Sequence, residues 1–192
     1  MRKVLLIASD KGELKGFCDK YIKVVCGVGS LMSAATTAMW VEREKPDLVV
    51  SVGSAGALNA SLEIGNAYSF SSVVTPDQDL SGFHVAKGST LDEKRTTIGE
   101  LRSADPNTVL RLSSSSTFTH QSSEWLKSMN VDAADMEAYG VAIACHKQNI
   151  PFLCVKLITD YVGDDSSIAN VSFNLRNGRE KLVELVDSIC LK

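Results

Sequence analysis

Two carboxylates and two glycine-rich segments are the residues of this chain whose types and spacing could do chemistry. Asp160 closes an otherwise apolar run over residues 153–158, and Glu137 lies at what reads as a helix start, between Met136 and Ala138. Each has an ordinary role open to it. A strand-end Asp forms turns or caps, and a Glu at a helix start answers the helix dipole. Each also has a catalytic role open, facing a ligand. Gly27-Val28-Gly29 and Gly53-Ser54-Ala55-Gly56-Ala57 follow apolar runs, where missing side chains let a ligand approach backbone N–H groups closely. The first segment serves equally as a plain strand-to-helix turn. It is not a dinucleotide fingerprint, because G-x-G-x-x-G needs glycine at position 32 and Met32 stands there.

Other chemistries are poorly supplied. The three histidines (His84, His120, His146) and five cysteines (Cys18, Cys26, Cys145, Cys154, Cys190) show neither H-E-x-x-H nor C-x-x-C spacing, so no metal site is expected. The odd cysteine set, mostly in apolar runs, fits free thiols in a reducing compartment. Twenty Lys and Arg against 23 Asp and Glu leave a formal charge of −3, with no pull toward nucleic acid or anionic lipid. No run approaches the ~20 apolar residues of a membrane span, and the apolar run at 4–8 is too short for the core of an export signal. A cytoplasmic location is expected, with neither membrane nor nucleic acid as partner.

The elements that must position these groups are spelled by bursts of apolar residues. With 192 residues, 44% of them hydrophobic, the chain has enough for one domain spanning 1–192. Residues 3–8, 48–52 and 152–158 are continuous Val/Leu/Ile-rich runs, as in strands buried on both faces. Residues 21–26 and 109–112 read as further strands. Helices are expected over 31–43 with Ser30 as N-cap, from near Ser122, over 136–148 and within 171–191, with a short helical piece at 14–18. Residues 67–74 alternate as in a more exposed strand, 75–107 reads mostly as loop, and 113–116 as a polar strand exit. Strand, glycine loop, helix, strand is the rhythm of a parallel sheet with crossover helices. The predicted fold is α/β: a three-layer domain with a mixed, mostly parallel central sheet flanked by helices. Ligands of such sheets bind beyond the carboxyl ends of the strands, here at 9–13, 27–30, 53–57 and 159–164.

The segments Val52-Gly53-Ser54-Ala55-Gly56-Ala57, Asp135-Met136-Glu137-Ala138 and Ile158-Thr159-Asp160, in that order, resemble the purine nucleoside phosphorylase and nucleosidase superfamily. Within it the chain is most similar to the bacterial 5'-methylthioadenosine/S-adenosylhomocysteine nucleosidases and their futalosine-cleaving relatives. The resemblance extends over nearly the whole chain. It implies cleavage of a purine N-glycosidic bond through an oxocarbenium-like ribosyl cation, a small-molecule purine nucleoside as partner, no cofactor, and a homodimer. It assigns Asp160 as the acid near purine N7. Glu137 becomes the carboxylate under the ribose hydroxyls, where its charge favours the cation. Met136 packs on the ribose and Phe118 stacks on the base. Ser54, Ala55, Gly56 and Thr159 fall within the matching motifs, and Cys26 stands where these enzymes usually have serine. Phe83 is either the aromatic that closes a partner's 5' pocket or an anchor within its own subunit.

The family's water-positioning glutamate aligns with Gly12, so Glu13, one place later, is the candidate for that role and Asp10 the fallback. Lys156 stands where arginine is usual. No Arg occurs between Ser9 and Ala38, so the bidentate clamp a phosphorylase needs for phosphate is absent from the first loops and the nucleophile is expected to be water. Gly27-Val28-Gly29 and Val162-Gly163-Asp164 resemble the futalosine enzymes somewhat more than the methylthioadenosine enzymes. Futalosine or 6-amino-6-deoxyfutalosine of menaquinone biosynthesis is therefore the expected substrate, with 5'-methylthioadenosine and S-adenosylhomocysteine next. A phosphate-dependent phosphorylase and a nucleoside binder without turnover are the alternatives.

Overall fold

A computed structural model describes residues 2–164 and 168–191. The chain runs β1 (Val4–Ala8), β2 (Ile22–Val25), α1 (Ser30–Glu44), β3 (Leu48–Ala57), β4 (Ala67–Phe70) and β5 (Ser72–Val74). It continues through β6 (Thr90–Leu91), β7 (Thr97–Ile98), β8 (Leu101–Arg102), β9 (Arg111–Ser114), α2 (Glu124–Ser128) and β10 (Ala133–Asp135). It closes with α3 (Ala138–Lys147), β11 (Phe152–Tyr161) and α4 (Ile168–Cys190). The main sheet has the order β2-β1-β3-β10-β9-β5-β8, and β11 joins it by pairing with β3 and β4. The pairs β1–β2, β1–β3, β3–β11, β5–β9 and β9–β10 are parallel; β3–β10, β4–β11 and β5–β8 are antiparallel. The sheet is mixed and mostly parallel, with helices on both faces, as its apolar runs require.

Alternate residues of one strand feed two cores, which is why those runs are continuous rather than alternating. Leu5 and Ile7 pack with Val41 of α1 and with Ala138, Val141, Ala142 and Cys145 of α3. Val4 and Leu6 pack on the other face with Leu175, Leu182 and Val186 of α4. Among the described residues no helix is long and apolar enough to cross a membrane.

Several local expectations are corrected. The piece at 14–18 is no helix; residues 11–16 form turns that bury Leu14 and, just after them, Phe17. Ser30 is the first residue of α1 rather than its cap, and Gly29 caps without a side chain. The Ser30 hydroxyl instead donates to the Met136 carbonyl at 3.2 Å, and Ser33 Oγ donates to the Glu137 carbonyl at 2.9 Å, tying the start of α1 to the entry of α3. The glycine segment 53–57 is strand: it extends β3 to ten residues, held by β11 along one edge and β10 at its end. Residues 67–74 are two mostly buried strands broken at Ser71, one on β11 and the other on β9. The stretch 75–107 contains the β6–β7 hairpin and β8, and Ser113 and Ser114 lie buried inside β9.

Candidate active site

The ends of β3 and β11, the entry to α3 and the loop after β9 enclose a cleft of about 160 Å³. Ser54, Ala55 and Gly56 form one wall, Met136 and Glu137 another, and Thr159, Asp160 and Phe118 complete it. Eight of the eleven residues expected at a site therefore meet in one cavity. Glu13, Cys26 and Phe83 are not on its surface.

Glu137 is freed for this position by its neighbour. It occupies the N-cap of α3 but makes no side-chain cap bond; Asp135 does that work, its Oδ atoms accepting from the Ala138 N–H at 3.1 and 3.3 Å. The Glu137 carboxylate reaches instead across to α1, where Oε1 accepts from the Gly29 N–H at 2.9 Å. Burial first, and then the nearby Asp135 charge, push its pKa up to about 7, against the opposing pull of Lys156 and the Gly29 N–H. Under Asp135 lies Lys156, whose Nζ stands 2.8 Å from Oδ2, both side chains almost wholly buried. Burial opposes the charge on Lys156, and the surrounding carboxylates, Asp135 foremost, outweigh it and hold the pKa above that of a free lysine.

Asp160 is aimed by an irregularity in β11. The register with β3 slips between Ile158 and Asp160, and the Thr159 hydroxyl donates to Asp160 Oδ1 at 2.7 Å. Phe118 sits half-exposed at the mouth, its ring edge-on to His120 with centroids 4.8 Å apart. Its loop is tied down by Asp77, which accepts from Ser115 Oγ at 2.7 Å and from the Ser116 N–H at 2.6 Å.

Glu13 is buried behind the cleft wall. Oε2 accepts from the N–H and hydroxyl of Ser9, both at 2.8 Å, and Oε1 from the N–H of Ser54 at 2.8 Å and its hydroxyl at 3.1 Å. These four donors match the lone-pair capacity of a carboxylate. Gly53 makes room for it: its φ is +147°, and a Cβ there would stand 2.6 Å from Glu13 Oε1. Ser9 and Ser54 themselves line the cleft. Asp10, the fallback, is exposed and accepts from the Gly12 N–H of its own turn. The Cys26 thiol is turned inward, 3.1 Å from the carbonyls of Ala8 and Gly27, and burial pushes its pKa up to about 11. Phe83, 73% exposed, lies on a short helical turn outside the cleft.

Sequence reasoning did not single out Ser9 or Val171 as wall residues, nor Asp135 as the cap and counter-ion that frees Glu137. Ser9 carried one signal, its place in the 9–13 loop at the carboxyl end of a strand, and Asp135 another, an acidic residue three places before a helix's first N–H. Among the described residues no group of three His, Cys, Asp or Glu side chains is arranged to hold a metal ion.

Residues 106–190 match the family model described as the phosphorylase superfamily. A 5'-methylthioadenosine/S-adenosylhomocysteine nucleosidase of Anoxybacillus flavithermus is 29% identical over 163 residues, 77% of this chain and 69% of its own. The S-adenosylhomocysteine nucleosidase of Streptococcus pyogenes, solved with 5-methylthiotubericidin, superimposes with a TM-score of 0.83 at 25% identity, over 98% of this chain and 97% of its own. The futalosine hydrolase of Helicobacter pylori strain 26695 shares the fold, with a TM-score of 0.82 at 19% identity over 98% and 97% of the two chains.

Proposed function

We propose, on the premise that this chain resembles the nucleosidases of the phosphorylase superfamily in sequence and in fold, that it hydrolyses the N-glycosidic bond of a 5'-modified purine nucleoside. The observation that carries the reading is that Glu137, at the entry to α3, and Asp160, near the end of β11, line one cleft with Met136 and Phe118. Asp160 gives a proton to the base as the bond to C1' breaks and its electron pair leaves with the purine. Glu137 accepts from the ribose hydroxyls and sets its charge under the cation that develops. Phe118 offers a face to the base and Met136 an apolar seat to the sugar. Water adds to C1', held by the hydroxyls of Ser9 and Ser54. Glu13 orients both hydroxyls from behind, and the proton that the water loses passes to one of them as that hydroxyl gives its own proton to Glu13.

For the 5' group, similarity to the methylthioadenosine/S-adenosylhomocysteine nucleosidases supports 5'-methylthioadenosine and S-adenosylhomocysteine as substrates. The resemblance of the Val162-Gly163-Asp164 segment beside Asp160 to the futalosine-cleaving enzymes supports the second reading, futalosine or 6-amino-6-deoxyfutalosine. Phe83 is the residue proposed to reach from one copy of a homodimer to the 5' end of its partner's substrate. Incubating the purified chain with each of the four nucleosides and assaying free adenine or hypoxanthine tests the reading. Release without phosphate is expected. Dependence on phosphate with ribose 1-phosphate as product would make it a phosphorylase, and tight binding without release a binder.

The raised pKa of Glu137 has a direction that can be checked. Nucleoside hydroxyls donate, so they favour the ionised carboxylate. Affinity is therefore expected to rise as pH climbs through about 7, with a proton released on binding. Calorimetry in two buffers of different ionisation enthalpy reads that proton directly; equal heats in both would contradict it. Stability runs the other way. Between the ordinary value of 4.5 and about 7 the folded chain holds this proton more tightly than the unfolded one, so the Glu137 contribution falls as pH rises across that window. Glu137→Gln is expected to flatten that part of a melting-temperature profile.

A further inference from the structure

The path of β11 into the cleft turns on Thr159. Ile158 pairs with Ala55 and Asp160 with Gly56, so Thr159 is an extra residue with no counterpart on β3. A bulge of this kind bends a strand and redirects the side chain beside it, and here that side chain is Asp160. The single proton of the Thr159 hydroxyl goes to Asp160 Oδ1, 2.7 Å away, against 3.5 Å to the Ala55 carbonyl. The Thr159 carbonyl, in turn, accepts from Nδ2 of Asn174 at 2.8 Å.

Asn174 comes from a different layer, the helix α4, and from the face of it that touches β11. One turn earlier Val171 reaches the cleft wall, and Leu175 is buried in the core beneath the sheet. One turn later Gly178 lets the helix settle onto the strand: a Cβ there would stand 2.6 Å from Leu157 Cδ1 and 2.9 Å from the Gly65 carbonyl oxygen. At that separation a short amide side chain spans the gap to the backbone, where it could not from a more distant helix.

We infer that Asn174 is a positioning residue, which clamps the Thr159 carbonyl in the bulge and, through the Thr159 hydroxyl, keeps the Asp160 carboxyl turned to the cleft. The kinetic part of this inference rests on the nucleosidase reading; the structural part rests on the bulge and its bonds alone. In a crystal structure of Asn174→Ala the Asp160 carboxyl is expected to leave the cleft or to split between two orientations. With a nucleoside substrate, kcat is expected to fall about 10²-fold, as for a catalytic group misplaced by about an ångström, while KM changes little.

Asn174→Asp separates positioning from packing. The side chain keeps its size, but a carboxylate cannot donate to the Thr159 carbonyl and a protonated carboxyl can. Its rate relative to the native chain should therefore climb as pH falls, whereas a packing role leaves that ratio flat. This variant carries the test if Asn174→Ala does not fold. An active native chain whose Asn174→Ala variant keeps its kcat and its Asp160 orientation overturns the inference and leaves the function standing. A native chain that releases no base from any nucleoside overturns the function, and the position of Asp160 in the Asn174→Ala crystal structure then decides the inference.

Discussion

Asp160→Asn is expected to lower base release by about 10²–10⁴-fold, the range general acid catalysis commonly supplies, while nucleoside binding survives. The substitution keeps the shape of the side chain. Its amide oxygen still accepts the Thr159 hydroxyl, which holds the residue at the bulge, and its NH₂ still donates a hydrogen bond to the base. What it lacks is a proton to give, so the purine must depart as an anion. A substrate whose leaving group is stable as an anion removes that need, and the variant should cleave it nearly as fast as the native chain. Steady-state rates on both substrate types, with binding measured by calorimetry, check the pair of statements. Near-native turnover of an ordinary purine nucleoside by Asp160→Asn would take this residue out of the chemistry.

Lys156→Met carries the largest expected effect on stability. Methionine nearly fills the space of the lysine stem, so little packing is lost, but the carboxylate of Asp135 stays buried without its counter-ion. Breaking one side of a buried pair typically costs about 3–5 kcal/mol, a large share of the ~5–15 kcal/mol that holds a domain together. Replacing both partners, Lys156→Met with Asp135→Asn, should recover most of that loss, because the amide oxygen still caps the Ala138 N–H and no charge is left stranded. Urea unfolding of the native, single and double variants gives the three numbers. A single variant as stable as the native chain would show that Asp135 does not depend on Lys156.

The residues that were legible in the sequence are those whose setting is local. Asp160 at the end of an apolar run and Glu137 at a helix entry are visible from their immediate neighbours, and the motifs around them led to the cleft. What hid was set by distant contacts. Gly53 and Gly56 read as loop because glycine weakens a strand, yet β11 and β10 pair along this stretch and keep it extended. The alternation over 67–74 reads as one half-exposed strand, but its halves join different partners and both are mostly covered. Lys156 interrupts an apolar strand with no neighbour in sequence to explain it; its partner is Asp135, on the strand β10, which is too short to show any period. Glu13 is held by Ser9 and Ser54 together, and Asn174 acts on β11 from another layer. Neither arrangement leaves a trace in spacing.

The most direct measurement is product analysis of the purified chain with 5'-methylthioadenosine, S-adenosylhomocysteine, futalosine and 6-amino-6-deoxyfutalosine in phosphate-free buffer. The expected result is free purine base from at least one of them, in equal amount with an unphosphorylated free sugar. No free base from any of the four, with or without added phosphate, would contradict the assignment of this cleft to N-glycosidic bond cleavage.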